Sequence, residues 1–270
     1  MILPIIFAAS FASASLTAPS PLPLREWDRF EKSVRDQLLP KDSLRTLFPP
    51  LYRALRGGPP PGVAGGPPPM PARDSVWVFP VQGYSLASVG KGGFRPAIRY
   101  GGSSIPGYDF FDGNRHGGHP AYDIFIRDKD RDCRDDLTGA KVPVLAPTRL
   151  VVLSTEKDWR PGSGLRGGKY LWAMDADSDL LLYFAHLDSL IASPGDTVAA
   201  GGRLGMVGRT GTNAYPARSP THLHFMVLKV GNGIPEPFDY YRLLPRSPRT
   251  MASRLKGPAP RHAMYKNTTQ

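Results

Sequence analysis

Residues 222–230 read HLHFMVLKV, and the alternation in this stretch predicts a β-strand. Successive side chains of a strand point to opposite faces, so His222 and His224 share one face, about 7 Å apart, while Leu223 and Phe225 share the other. One face of the strand is therefore expected to enter an apolar core, and the other to carry the two histidines.

Six other short runs of β-branched and aromatic residues, bounded by glycine, proline and further turn formers, have the same character. They are residues 76–81, 121–126, 142–145, 150–154, 170–174 and 180–185. Strands of this length and spacing predict a mostly β domain built on an antiparallel sheet. We assign residues 76–245 to this domain.

Residues 21–57 differ, because their apolar residues recur at helical spacing and predict a short N-terminal helical segment. Pro40 is expected to end a first helix, and Pro49 and Pro50 are expected to interrupt a second. We expect this segment to act as a spacer or a packing flap. The sequence leaves open whether it is autoinhibitory and blocks a substrate groove.

Two further segments lack the periodicity of packed structure. Residues 58–75 begin GPPPGVAGGPPPM and are expected to form a semi-extended linker, because such a tract cannot pack a core. Residues 246–270 are rich in proline and basic residues and are expected to form a flexible basic tail.

The first residues form an apolar run that leads into Ala12-Ser13-Ala14, a small-x-small pattern typical of signal-peptide cleavage. We therefore expect residues 1–14 to be a signal peptide, and the protein to be exported to the periplasm or the extracellular cell envelope. No other stretch approaches the roughly 18 apolar residues that a membrane span requires. We expect no transmembrane segment in the mature chain.

Composition narrows the partners and the chemistry. The 34 Lys and Arg residues against 23 Asp and Glu give a net charge of +11, which favours an anionic partner such as the bacterial wall, although solubility alone accounts for it equally well. No signature of nucleic-acid binding accompanies the charge, so we expect no nucleic-acid partner. Cys133 is the one cysteine, which excludes an internal disulfide and any cysteine-based zinc site. The oligomeric state stays undetermined.

Residues 119–123 read HPAYD and suggest a pair of metal ligands. On a straight strand, residues four apart lie about 13 Å from each other, too far for both side chains to reach one ion. The preceding glycines and Pro120 provide a turn, so His119 can approach Asp123 from a loop while Asp123 begins a strand.

His186 ends the apolar run YFAHLDS, where a histidine on its own would more often be structural. His222 and His224, taken alone, could likewise be ordinary residues on an exposed strand face. When these three are combined with His119 and Asp123 on one small β domain without cysteine ligands, a metal centre becomes the better interpretation.

These motifs resemble those of the M23 (LytM or lysostaphin-type) zinc metallopeptidases, which are peptidoglycan endopeptidases. They occur in the family's order over roughly residues 76–241: HxxxD at 119–123, a histidine in YFAHLDS, and HxH at 222–224. The connecting stretches PGDTV and GGRLGMVGRTG are also similar to the family's. One departure is Ala121, where the family has glycine; alanine is tolerable wherever φ is negative.

The resemblance implies one Zn2+ ion per chain, held by His119, Asp123 and His224, with His186 and His222 as catalytic residues. Zinc with three protein ligands keeps a fourth position for water and polarises a scissile carbonyl. Whether His186 or His222 is the general base stays open.

The resemblance also implies a LytM-type peptidase fold and a zinc-dependent endopeptidase that hydrolyses peptide bonds of peptidoglycan cross-links. The alternative is a non-catalytic LytM-like module that binds the cell wall or activates another hydrolase. Missing zinc ligands would indicate such a module. A zinc phosphoesterase or deacetylase would need further carboxylates near the motifs, and none is placed for it. Which cross-link bond is cleaved stays open.

An acidic stretch at residues 128–136 alternates aspartates at Asp128, Asp130 and Asp132, like the start of a calcium-binding loop. Cys133 and Gly139 stand where such a loop needs glycine and glutamate. An EF-hand is therefore not expected, and whether this stretch binds an ion stays open.

Overall fold

The computed structural model describes residues 21–57, 77–91, 105–231 and 233–245. The predicted signal peptide (1–14), the linker (58–75) and the basic tail (246–270) lie outside the described residues.

Two α-helices come first, α1 (Pro21–Arg35) and α2 (Lys41–Leu55). The strands are β1 (Ala121–Phe125), β2 (Pro143–Leu145), β3 (Leu150–Glu156), β4 (Lys169–Asp175), β5 (Leu180–Leu187), β6 (Ser189–Leu190), β7 (Thr197–Val198), β8 (Arg203–Met206), β9 (His222–Lys229) and β10 (Glu236–Pro237). Short 3-10 helices span Leu86–Ser88, Phe110–Arg115 and Tyr241–Leu243.

The strands form two antiparallel sheets. The larger sheet has the order β1-β9-β5-β4-β3-β7, with β10 also paired to β9, and the smaller sheet has the order β2-β8-β6. The expectation of a mostly β, antiparallel fold with a short N-terminal helical segment is confirmed.

The two faces of the larger sheet enter different apolar clusters, as the alternation of its strands requires. Leu223 and Phe225 of β9 point into a cluster that includes the smaller sheet, with Val144 and Leu204 among its members. Met226 and Leu228, on the opposite face of β9, belong to a cluster with the two helices. His222 and His224 have the parity of Met226, so the helices cover part of the face that carries the histidines.

The helical segment is packed firmly onto this sheet face. Trp27 is fully buried and meets Trp172 of β4 edge to face, with 6.1 Å between ring centroids. At the end of α2, Arg56 Nη1 donates hydrogen bonds to the backbone carbonyls of Asp175 at 2.7 Å and Ser178 at 2.6 Å. The segment therefore shares a core with the sheet, which goes beyond the spacer or flap expected from its sequence.

Two expectations about the helices were wrong in detail. Pro40 does not end α1, which stops at Arg35: Gln37 adopts a φ of 56°, and the amide of Leu38 reaches back to the carbonyl of Ser33 at 3.0 Å. This left-handed cap satisfies terminal carbonyls before Pro40 is reached.

Pro49 and Pro50 do not interrupt α2, which continues to Leu55. Proline within a helix removes a backbone hydrogen bond and costs about 3 kcal/mol. Leu51 and Leu55, one and five residues beyond the proline pair, are buried against the sheet cluster and offset this cost.

The strand expected at residues 76–81 was also wrong within its described part. Trp77, Phe79 and Val81 are buried in alternation, as a strand would have them. However, the amide of Trp77 donates to the carbonyl of Leu243 in the last 3-10 helix and that of Val78 to Pro147, so neither bond pairs the stretch with a strand. Only an isolated bridge between Val81 and Val144 resembles sheet pairing.

Among the described residues, no helix combines the length and the apolar character needed to cross a membrane.

Candidate metal centre

Antiparallel pairing of β1 with β9 brings two of the candidate ligands together. Asp123 is the register partner of His224, although the two are 101 residues apart in sequence. On its other side β9 pairs with β5, where Ala185 is opposite His224. Asp123 Oδ1 lies 3.0 Å from His224 Nδ1, so the sheet itself fixes this contact.

His119 reaches the same carboxylate from the loop before β1. Gly118 has a φ of +68°, and a Cβ on it would stand 2.4 Å from the Ile105 side chain, so glycine is required for this turn. The turn places His119 Nε2 at 3.4 Å from Asp123 Oδ1. The chain therefore bends between His119 and Asp123, as the spacing in HPAYD requires if both residues are to bind one ion.

The donor atoms of His119, Asp123 and His224 all lie within 4.8 Å of one another. Donors bound to zinc at about 2.0 to 2.1 Å in a tetrahedron are about 3.3 Å apart, which is close to the 3.0 and 3.4 Å separations from Asp123 Oδ1. Two imidazoles and one carboxylate also form a donor set that suits zinc. The residues present therefore fit a zinc ion.

Ionisation of these groups follows the same contacts. Burial opposes the charge of Asp123, but hydrogen bonds from His119 and His224 outweigh it and hold the pKa of that carboxyl well below its usual range. Burial lowers the pKa of His224 more than Asp123 raises it. For His119, burial is again the largest single effect, but the hydrogen bond and charge of Asp123 together with a backbone bond outweigh it and raise the pKa. The ionised carboxylate of Asp123 is the form that metal binding requires.

His186 lies at the end of β5 in an unusual backbone conformation. Its φ of 63° is in the left-handed region, and its amide donates to the carbonyl of Gly167 at 2.9 Å. Its Nδ1 is 2.8 Å from the carbonyl of Thr210, which can only accept, so Nδ1 carries the proton. Burial lowers the pKa of His186 to about 3, so the ring is neutral and Nε2 keeps a lone pair.

His222, at the start of β9, is oriented in the same manner. Its Nδ1 lies 2.7 Å from the carbonyl of Pro220 and therefore donates to it. Its Nε2 lies 3.7 Å from Asp123 Oδ1, and its ring centroid is 4.8 Å from that of His186. With Nδ1 of each ring bonded to a backbone carbonyl, Nε2 is the ring atom that each histidine can offer to a reacting group.

Several residues that support these histidines were missed by the sequence reasoning. Thr210, whose carbonyl orients His186, also donates its hydroxyl to the carbonyl of Leu187 at 2.8 Å. Thr221, next to His222, donates its hydroxyl to Asp128 and accepts from Arg209 Nη1 at 3.1 Å. Such contacts join residues that are distant in the chain, so no local sequence pattern predicts them.

The acidic stretch has a structural use for its first aspartate. Carboxylate oxygens of Asp128, Asp130 and Asp136 lie within 4.8 Å of one another. Asp128 is buried and already accepts from Thr221 and from the amides of Asp132 and Cys133. It therefore acts as a support beneath β9.

His116 is a nearby histidine that does not belong to the cluster of three donors. Its Nδ1 is 3.0 Å from the carbonyl of Gly117, and its ring packs against Tyr108 with 5.0 Å between centroids. It stands at the edge of a cavity beside the candidate metal centre.

Comparison with known proteins agrees with these motifs. Residues 136–235 match the model of peptidase family M23, which confirms the predicted resemblance to this family. The matched region contains His186, His222 and His224, and begins after His119 and Asp123. No curated protein sequence matches the chain.

The solved structures to which the chain is similar are distant. A peptidase M23 structure from Pseudomonas aeruginosa is 19% identical with a TM-score of 0.40, and the alignment covers 66% of this chain and 54% of that one. The catalytic domain of lysostaphin from Staphylococcus simulans is 22% identical with a TM-score of 0.33, covering 47% and 80%. LytU is 27% identical with a TM-score of 0.32, covering 45% and 70%. This chain thus spans about half the length of the Pseudomonas protein.

Proposed function

We propose that the chain is a zinc-dependent endopeptidase that hydrolyses peptide bonds of peptidoglycan cross-links. The observation that carries the proposal is the meeting of three zinc-type donors with two further histidines, His186 and His222, whose Nδ1 atoms are held by backbone carbonyls. A non-catalytic relative would have little use for this full set. The family match supports the peptidase class, and the wall substrate follows from the family resemblance together with the net charge of +11.

In this proposal His119, Asp123 and His224 hold one zinc ion per chain. Zinc bound by three protein ligands acidifies a water molecule and polarises a carbonyl group. The sheet pairing that fixes Asp123 against His224 pre-organises two of the three ligands before any ion arrives.

His222 performs the proton transfers, and His186 orients the reacting groups. A neutral imidazole with a basic Nε2 accepts a proton from the attacking water, and the resulting imidazolium donates it to the leaving amine nitrogen. We assign the general base to His222, because Asp123 Oδ1 at 3.7 Å stabilises the positive charge that forms there. His186, with its pKa lowered to about 3 by burial, stays neutral and orients the reacting groups.

The proposed domain arrangement follows from these assignments. Residues 76–245 form the peptidase domain, and residues 21–57 pack on it as a fixed element. We further propose that the protein is exported and acts in the periplasm or the extracellular cell envelope, where its substrate lies.

Digestion of defined cross-linked muropeptides, read by mass spectrometry, tests the proposal. The purified protein should release uncross-linked stem peptides, and the new amino terminus identifies the cleaved bond. His222→Ala should keep its zinc and lose about 100-fold or more in rate. His262→Ala is the matched control, because it removes a histidine from residues 246–270, outside the proposed peptidase domain. If zinc-loaded wild-type protein leaves the muropeptides intact, the chain is a non-catalytic module.

A further inference from the structure

A cavity lies beside the candidate metal centre on the same face of the larger sheet. Its floor is formed by Tyr170, Trp172 and Tyr183, and α1 closes one side with Glu31 and Arg35. The cavity volume is about 90 Å³, room for a few water molecules or a small group such as a carboxylate. The wall from α1 comes from the helical segment, outside the region that matches the peptidase family.

Three contacts connect this cavity to the proposed catalytic residues. Tyr183 lines the cavity and its ring lies 6.2 Å from that of His224. Met226, another lining residue, is two positions after His224 on the same strand face. The carbonyl of Gly167, at the cavity edge, accepts the amide of His186. A peptide bound across the metal centre would therefore place a neighbouring group at this cavity.

The two arginines that line the cavity, Arg35 and Arg166, differ in how many partners they have. Tyr170 donates its hydroxyl to Glu31 at 2.7 Å and accepts from Arg35 Nη1 at 3.0 Å. Arg35 also pairs with Glu156 at 3.2 Å and with Asp36. Arg35 is thus fully engaged by partners on the helix and the sheet.

Arg166 also lines the cavity, and its guanidinium group has N–H donors that remain available for a ligand. It is half-buried, and its Nη1 donates to the backbone carbonyl of Asn114. It forms no ion pair with a carboxylate in the part of the chain that the structure describes. Guanidinium groups carry five N–H donors in a plane that matches a carboxylate, so most of its binding capacity is unused.

We propose that this cavity is a substrate subsite in which Arg166 binds a carboxylate carried by the peptide, while the aromatic floor packs against the adjoining aliphatic chain. The inference rests on the proposed peptidase function and names the substrate chemistry it selects. A carboxylate gains two charge-assisted hydrogen bonds from a guanidinium, whereas an ammonium group would be repelled by it.

Glu31 does not oppose an anionic occupant. Glu31 as a residue is 6% exposed, and the Tyr170 hydroxyl lies between its carboxyl group and Arg35 in a chain of hydrogen bonds. Burial raises the pKa of Glu31 to about 7, which disfavours a negative charge there. Glu31 in α1 therefore forms part of the cavity wall, and Arg166 is the residue that binds the substrate carboxylate.

The test compares three peptides that differ in one group: a side-chain carboxylate, the corresponding carboxamide, and an amine. On the zinc-loaded enzyme, kcat/KM should be at least 10-fold higher for the carboxylate than for the carboxamide. Arg166→Gln should bring the two within 2-fold by slowing only the carboxylate peptide, and Arg166→Lys should retain part of the preference. Arg160→Gln, an exposed arginine in the same loop, is the matched control and should keep the full preference.

Calorimetric binding of the same peptides to the zinc-loaded His222→Ala protein separates this proposal from the previous one. Stronger binding of the carboxylate peptide without hydrolysis by wild type would retain the subsite and reject the peptidase. Hydrolysis without discrimination, equal loss of all peptides in Arg166→Gln, or preferential binding of the amine would overturn the subsite.

Discussion

The indole nitrogen of Trp27 donates a hydrogen bond to the hydroxyl of Ser154 at 3.0 Å, and this bond joins α1 to β3 across 127 residues of sequence. Both groups are buried, so each satisfies the other where water is absent. The contact shows that the helical segment is held by specific polar pairing as well as by apolar packing. A segment attached in this way is a structural part of the domain.

Trp27→Ala should therefore lower the free energy of unfolding by about 3 to 5 kcal/mol, because it creates a cavity and leaves Ser154 without its donor. Urea denaturation followed by circular dichroism measures the change. Leu38→Ala is the control, since Leu38 is 66% exposed and should change stability by less than about 0.5 kcal/mol. A small effect at Trp27 would mean that the helices are only loosely attached.

Glu31 should make stability depend on pH. Its pKa is about 7 in the folded protein and near 4.5 in the unfolded chain, so the folded state binds the extra proton between these values. Stability therefore falls as pH rises from about 4.5 to 7, by about 3 kcal/mol in total from this group.

In Glu31→Gln this part of the pH dependence should vanish, and the variant should unfold at higher urea concentration than wild type at pH 8. Glu26→Gln, an exposed change on the same helix, should keep the wild-type profile. Parallel pH profiles for wild type and Glu31→Gln would show that the buried carboxyl keeps its ordinary pKa.

Gly211 supports the backbone that orients His186. Its φ is +90°, and a Cβ there would lie 2.3 Å from the carbonyl oxygen of Arg166. Gly211→Ala must shift this backbone and, with it, the neighbouring Thr210 carbonyl that accepts from His186. We expect a loss of at least 10-fold in kcat on the muropeptide substrate.

Gly162→Ala provides the matched comparison, because Gly162 has a φ of +88° and no atom within 4 Å of the added methyl group. Both variants share the strain of positive φ, about 1 kcal/mol, so only the clash distinguishes them. Equal kcat in the two variants would show that the position of Thr210 does not matter for the reaction.

Alternation in HLHFMVLKV was sufficient to predict a strand with two histidines on one face, because strand geometry is local. The bend between His119 and Asp123 was likewise predictable, since ligand distances limit how far apart two donors can be. The helix ends and the absence of a strand over the described residues of 76–81 were not predictable, because tertiary contacts decide them. Burial of Leu51 and Leu55 stabilises α2 beyond its prolines, and the carbonyl of Leu243 in a 3-10 helix accepts the amide of Trp77.

The placement of the helices on the histidine face could not be predicted from the chain either. Helical periodicity shows that α1 has an apolar side, but it does not say which surface covers that side. The wall that Glu31 and Arg35 add to the cavity beside His224 depends on this packing. The supports of the histidines, Thr210 and Thr221, likewise depend on contacts between residues distant in the chain, although not on the helices.

We propose that His119, Asp123 and His224 hold one zinc ion, and the metal content of the protein tests this proposal most directly. Elemental analysis of the purified protein after dialysis against metal-free buffer should give one zinc per chain. Asp123→Ala should give less than a tenth of that while retaining its circular dichroism spectrum, and His116→Ala should retain full zinc. Wild-type protein without zinc, or Asp123→Ala with stoichiometric zinc, would contradict the account.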